Sequence, residues 1–246
     1  MPDDDLLASM YGADYEQFLT AEEAHSGQIG TQRVLNRLEN RAKGWFLDYG
    51  CGGGSLLVET AKLGWKCFGV DFDRPATDTL AEAGNLSVVP KLDDLPDEVT
   101  FDVIHLGDVI EHLTDVNSQI PAILSRLKRG GEIIAQGPLD ANLNVFLLGL
   151  KLKKLLRPSI SDMPPYHVSL ATLKGQNSFF ERFGLEKIEM SVFETSHPAP
   201  EHLRISDLAD IRLTSLFLLR KVSQVISLLF PSKMGNRYFY IGRKIA

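Results

Sequence analysis

Two carboxylates and a bend of nearly bare backbone carry the most pointed chemistry in this sequence. Asp48 lies two residues before Gly50-Cys51-Gly52-Gly53-Gly54, and Asp71 closes the run Lys66-Cys67-Phe68-Gly69-Val70. Glycines at positions 50 and 52 let the main chain approach a ligand with no Cβ in the way. Free N–H groups at the start of a following helix favour polar or anionic groups. An acid that ends the second strand can accept hydrogen bonds from a ribose diol. Asp48 has no role toward a pyrophosphate, but it can neutralise an ammonium group. The pattern therefore predicts a nucleoside-containing cofactor, with Asp48 able to serve one that bears an amino acid. The dinucleotide fingerprint G-x-G-x-x-G fits poorly, because Ser55 stands where its third glycine belongs. Gly53 and Gly54 read equally well as helix–strand packing positions.

Further along, Glu111-His112 and His167 are the candidates for proton transfer. An imidazole near its ordinary pKa can take a proton from an acceptor. The competing reading for the Glu111-His112 pair is a fastener for its loop, and for His167 a structural role. His105 sits inside an apolar run and reads as satisfied core, whereas His25, His197 and His202 carry no signal. The thiol of Cys51 reads as a small packing group, since no basic residue adjoins it to stabilise a thiolate. Its main chain still belongs to the bend.

These residues fall into an ordered set. Leu47-Asp48-Tyr49-Gly50-Cys51-Gly52-Gly53-Gly54 resembles motif I of class I S-adenosylmethionine (SAM) methyltransferases, and Gly69-Val70-Asp71 is similar to motif II. Phe101-Asp102-Val103-Ile104 with Val109-Ile110-Glu111-His112-Leu113 resembles the motif IV region, and Leu127-Lys128-Arg129-Gly130-Gly131-Glu132 the turn before strand five. The set spans residues 30 to 195 and is most similar to the ubiquinone-biosynthesis O-methyltransferases and their relatives. The resemblance implies SAM as cofactor, S-adenosylhomocysteine (SAH) as product and a small-molecule acceptor, with a hydroxyl oxygen as the methylated atom. It implies cofactor contacts at Asp48, Gly50, Cys51, Gly52 and Asp71. It adds Leu92 and Asp93 beside the adenine and Leu106 and Gly107 beneath the methionine part. Lys91 occupies the usual acid position near the adenine, so Asp93 is the substitute. Phe72 reads as an adenine neighbour or as core. His167 falls where relatives place a substrate-side residue. Glu111 could help hold a divalent metal, but the sequence shows no second ligand at a suitable spacing, so no metal is expected.

Elements must hold these residues. Trp45–Tyr49, the helix from Ser55 and the strand at 66–70 form a parallel strand–helix–strand unit, with the bend at the carboxyl end of its first strand. Helices are expected over 31–43, 75–84, 117–129 (with Pro121 in its first turn) and 171–183, and an amphipathic helical region over 201–230. Strands are expected over 86–89, 101–106, 132–136, 185–193 and 237–242. The expected fold is α/β, a Rossmann-like doubly wound seven-stranded sheet with the last strand antiparallel and helical cover. Residues 1–30 read as a tail or lid and 31–246 as the methyltransferase domain, with helical insertions at about 139–168 and 195–235.

Composition limits the alternatives. The 246 residues suit one α/β domain, 44% are hydrophobic, and the net charge of −6 argues against a nucleic-acid partner. Two cysteines and an acidic start without a signal peptide point to a reducing, cytoplasmic setting. The apolar stretches near 143–156 and 201–230 suit a lid, a homodimer or peripheral membrane contact, the last favoured by Lys151, Lys153, Lys154 and Arg157. Two rival functions stay open: a non-catalytic SAM-binding scaffold and, behind it, a dinucleotide-dependent oxidoreductase.

Overall fold

The computed structural model describes residues 21–71, 86–146, 148–149, 152, 167–194, 202–230 and 234–245, with the main chain alone for 21–29. The elements in chain order are α1 (Ala21–Glu39), β1 (Trp45–Tyr49), α2 (Ser55–Lys62), β2 (Lys66–Val70), β3 (Leu86–Val89), β4 (Phe101–Gly107), α3 (Val116–Ser125), β5 (Leu127–Pro138), α4 (Leu173–Arg182), β6 (Leu185–Phe193), α5 (Ile211–Leu229) and β7 (Arg237–Lys244). Short 3-10 turns lie at Leu92–Asp94, Ile110–His112 and Ile205–Ala209.

One seven-stranded sheet runs in the order β3-β2-β1-β4-β5-β7-β6. Strands β1 to β5 are parallel, and β7 is antiparallel to both β5 and β6. The chain reverses its lateral direction between β1 and β4, so a crevice opens at the carboxyl ends of those two strands.

Side chains alternate across the sheet with period two, and both faces are covered. Phe46, Val103, Ile134 and Phe239 point to the face packed by Val34 and Leu38 of α1 and Leu56 and Leu57 of α2. Their neighbours Leu47, Ile104, Ile133 and Tyr240 point to the other face, against Ile120, Ile123 and Leu124 of α3 and Phe180 of α4. Each fully buried side chain of this size contributes about 1.5–3 kcal/mol. Glu132 of β5 is buried and gathers Arg37 of α1 and Arg41 from the turn that follows it, together with Arg243 of β7. Burial pushes its carboxyl up, but the hydrogen bonds from Arg41 and Arg37 outweigh that and hold its pKa below the ordinary range.

Several boundaries differ from the sequence expectation. Helix α1 begins ten residues earlier, at Ala21. Helix α3 stops at Ser125, because Leu127 already pairs with Phe101 and β5 starts there instead of at 132. Pro121 sits in the second turn of α3, where it removes one internal hydrogen bond. The expected helical region over 201–230 is a 3-10 turn and then α5, with the Asp210 side chain accepting from the N–H groups of Arg212 and Leu213. The expected helix over 75–84, Phe72, and the cluster Lys151, Lys153, Lys154 and Arg157 lie outside the described residues.

Candidate active site

The bend after β1 is held from below. The N–H groups of Gly50 and Cys51 both donate to the carbonyl of Val70, the last residue of β2. Gly50, Gly52 and Gly54 have φ of 78°, 46° and 70°, where a side chain is strained. A Cβ on Gly50 would lie 2.5 Å from Val109 Cγ2, so the bend packs tightly against the turn that follows β4. By contrast, a Cβ on Gly52 or Gly53 would meet nothing within 4 Å. The bend is thus closed on one side and opens on the other. Asp71 stands at that opening, and its Oδ2 accepts from the Gly52 N–H at 2.7 Å. The N–H of Asp71 itself bonds the last carbonyl of β3, which brings Leu92 and the exposed Asp93 to the same strand ends. The acid that folds back there is Asp94, whose Oδ2 accepts from the Lys91 N–H at 3.1 Å. Leu92 packs partly buried against the core.

Asp48 lies deeper. It is 3% exposed, and its Oδ1 is 2.7 Å from Nδ1 of His105, its register partner on β4. His105 was expected to be satisfied core. Its Nε2 is buried with no hydrogen-bond partner, so it is satisfied on one nitrogen only. The Leu106 side chain is fully buried, which leaves its main chain to face the crevice. Gly107 is required beside it, since a Cβ there would fall 2.6 Å from His105 Cε1. The Cys51 thiol is pushed up to about 12, first by burial and then by Asp48 and Asp71, and it packs against Gly69. It is therefore a packing group and no nucleophile.

The opposite wall is built around the turn after β4. Asp108 has φ of 54°, which an L residue seldom adopts, and a salt bridge to Arg237 at the start of β7 holds it there. Arg237 is largely enclosed; that alone would lower its pKa, and Asp108 raises it instead. Burial and then the Asp108 carboxylate hold Glu111 well above the usual carboxylate range, which favours its protonated form. Its Oε1 is buried without a partner. The expected fastening of this loop exists, but the main chain makes it: the Glu111 carbonyl accepts from the N–H groups of Val168 (2.8 Å) and Ser169 (3.1 Å).

That contact delivers His167 to His112. Their rings stand edge to face with centroids 5.0 Å apart. Nδ1 of His167 is 2.6 Å from Oδ2 of Asp140, two residues beyond β5. An imidazole oriented by a carboxylate, with its other nitrogen available, is the arrangement of a general base. Ligand atoms of Glu111, His112 and His167 also lie within 4.8 Å of one another, close enough to converge on a divalent cation. The sequence missed both Asp140 and the convergence of residues 111 and 167. The one available signal for Asp140 was an acid two residues after the Gly137-Pro138 strand end.

Comparison with known proteins bears on this geometry. A family model described as "Methyltransferase domain" matches residues 25–190. A ubiquinone biosynthesis O-methyltransferase of Colwellia psychrerythraea is 25% identical over 173 residues, 67% of this chain and 70% of that protein. The protein of the same description from Nitrobacter winogradskyi is 33% identical over 110 residues, so the match spans 42% of each chain. Among solved structures, a SAM-dependent methyltransferase from Archaeoglobus fulgidus superposes with a TM-score of 0.53 at 20% identity, covering 87% of this chain and 94% of that one. No described helix is long and apolar enough to cross a membrane.

Proposed function

The chain belongs to the class I SAM-dependent methyltransferase family, and on that premise we propose that it transfers the methyl group of SAM to a hydroxyl oxygen of a small-molecule acceptor, releasing SAH. The cofactor supplies an electrophilic methyl on a sulfonium whose charge disappears as the methyl leaves. The residues present fit such a group: open space lies over Gly52 and Gly53, with the Asp71 carboxylate at its rim. With the cofactor bound, Asp71 would accept from the ribose diol and Asp48 would neutralise the amino group, while Leu92 and Asp93 would line the adenine end and Gly107 the amino-acid end.

On the acceptor side, His167 takes the hydroxyl proton on Nε2, and Asp140 on Nδ1 stabilises the resulting imidazolium. Proton removal of this kind contributes about 10²–10⁴ in rate. Orienting the acceptor in line with the methyl supplies much of the rest. The observation that carries this reading is the Asp140–His167 pair at 2.6 Å, on the turns that follow the same sheet edge as the open bend. The description of the relatives as O-methyltransferases supports oxygen as the acceptor atom.

The test is SAH release from SAM with a panel of phenolic and aliphatic hydroxyl acceptors. Turnover is expected on a hydroxyl, falling at least 100-fold in His167→Ala while SAH affinity stays within twofold. Turnover on an amine that ignores the His167→Ala change would refute the oxygen acceptor. SAH binding without turnover on any acceptor would support the non-catalytic alternative. Loss of turnover on chelation, restored by a divalent cation, would reassign Glu111, His112 and His167 to metal binding.

A further inference from the structure

Helix α5 is built inside out. Its three buried side chains are Arg220, Ser223 and Ser227, all polar and spaced on one face. Arg220 Nη1 bonds Glu194 at 2.6 Å, with both side chains at most 2% exposed, and its guanidinium lies 3.6 Å over the Phe146 ring. The Ser223 hydroxyl accepts from the Phe146 N–H and donates to Asn144. The single hydroxyl proton of Ser227 lies within reach of both the Glu194 carboxylate and the Met234 carbonyl. Amphipathic helices ordinarily turn their apolar stripe to the core. Here the interior is a directional polar lattice, which pins the helix in one orientation.

The apolar stripe consequently faces out. Leu218, Val222, Val225, Leu228, Leu229 and Phe230 are between 52% and 81% exposed. Together they form a contiguous apolar patch on the order of several hundred Å², the size that marks an interaction site rather than scattered surface hydrophobes. A groove on the same face is lined by Lys221, Val222, Val225 and Ile226.

The spacing of the stripe identifies the occupant. Ile211, Ser215, Leu218, Val222, Val225 and Leu229 follow one another at intervals of four, three, four, three and four. This is the seam of a coiled coil, a complement for another helix rather than for a flat lipid surface. The seam is also self-complementary when run against itself. An antiparallel copy places Ile211 opposite Leu229, Ser215 opposite Val225 and Leu218 opposite Val222, which fits the same patch on both sides of a two-fold axis. The same orientation sets Arg212 of each copy beside the C-terminal turn of the other, where the helix dipole favours a cation. Apart from the internally paired Arg220, the cations of α5 are Arg212 and Lys221 alone, few for capture by an anionic membrane. We propose that α5 forms a homodimer by antiparallel packing against α5 of a second copy of this chain.

Sedimentation velocity of the full chain from 1 to 100 µM should show a species of twice the monomer mass. Val222→Glu with Val225→Glu should shift it to monomer while leaving the SAH binding heat within twofold, since both side chains point away from the fold. Orientation is read by cross-linking. Residues 211 and 229 are 18 positions apart, about 27 Å along the helix. An equimolar mixture of Ile211→Cys and Leu229→Cys proteins should therefore form a disulfide-linked dimer, and Ile211→Cys alone should not. A monomer at 100 µM, a dimer unmoved by the double glutamate change, or cross-linking of Ile211→Cys alone would each overturn the proposal. So would a monomer that sediments with phosphatidylcholine–phosphatidylserine vesicles and loses them on the glutamate changes.

Discussion

Replacing Asp71 by alanine should weaken SAH binding by roughly 30- to 1,000-fold. The carboxylate is placed for two tasks. Its Oδ2 already accepts from the Gly52 N–H at 2.7 Å, which holds the bend in its open shape, and in the proposed complex the carboxylate would also accept from the ribose diol. Hydrogen bonds to a charged acceptor contribute about 1.5–3 kcal/mol each. Asp71 is half-buried, so water takes up part of that when the ligand leaves; the net loss is about 2–4 kcal/mol. At 1.4 kcal/mol per tenfold that gives the stated range. Asp71→Asn keeps a neutral acceptor for Gly52 and for one hydroxyl, and should lose about tenfold, the usual gap between charged and neutral acceptors. Isothermal titration with SAH measures both, and circular dichroism checks the fold. A loss below threefold for Asp71→Ala in a folded protein refutes the assignment of this end of the crevice.

Asp140→Asn, like His167→Ala, should lower kcat about 100-fold or more with KM nearly unchanged. Its rate on a phenolic acceptor should then climb tenfold per pH unit until the phenol ionises near pH 10, whereas a flat pH profile would argue against a base. The two outer glycine changes should separate stability from binding. Gly50→Ala combines φ of 78° with a 2.5 Å clash on Val109, so its Tm should drop by about 5–15 °C in calorimetry. Gly52→Ala meets no atom within 4 Å but still has to adopt φ of 46°, so it should lose SAH affinity more than tenfold with a smaller Tm drop, about 2–8 °C. Glu132 has a folded pKa below its ordinary 4.5. Its contribution is therefore present above that pH and is lost as pH falls through the lower folded value. Glu132→Gln should cost about 2 kcal/mol at pH 7, discounted for the partly exposed arginines. In urea unfolding, that gap should narrow as the pH falls below 4.5.

The parallel sheet and its bend were legible because they rest on local signals: short apolar runs, glycines where φ must be positive, and an acid closing β2. The β6–β7 hairpin with a long insertion was legible too, from alternation at 185–193 and a late strand at 237. What escaped was non-local. His167 reaches His112 through main-chain bonds between segments more than fifty residues apart, which no spacing reveals. Asp108 is locked by an arginine from the far end of the chain. Helix α5 looked amphipathic, and the periodicity was right. Its facing was not deducible, because Glu194 and Asn144, which recruit Arg220 and Ser223 inward, lie on other elements.

The polar inner face of α5 has a consequence for how this surface changes over evolutionary time. A helix seated by greasy contacts loses its footing whenever its stripe is altered, so outer identity and folding are entangled. Here the anchor is the Arg220–Glu194 ion pair and the hydrogen bonds of Ser223 and Ser227, while the outward residues hold nothing in place. Mutations can accumulate on that outer side without unfolding the chain. The outward face is thus free to diverge between lineages while the crevice stays as it is.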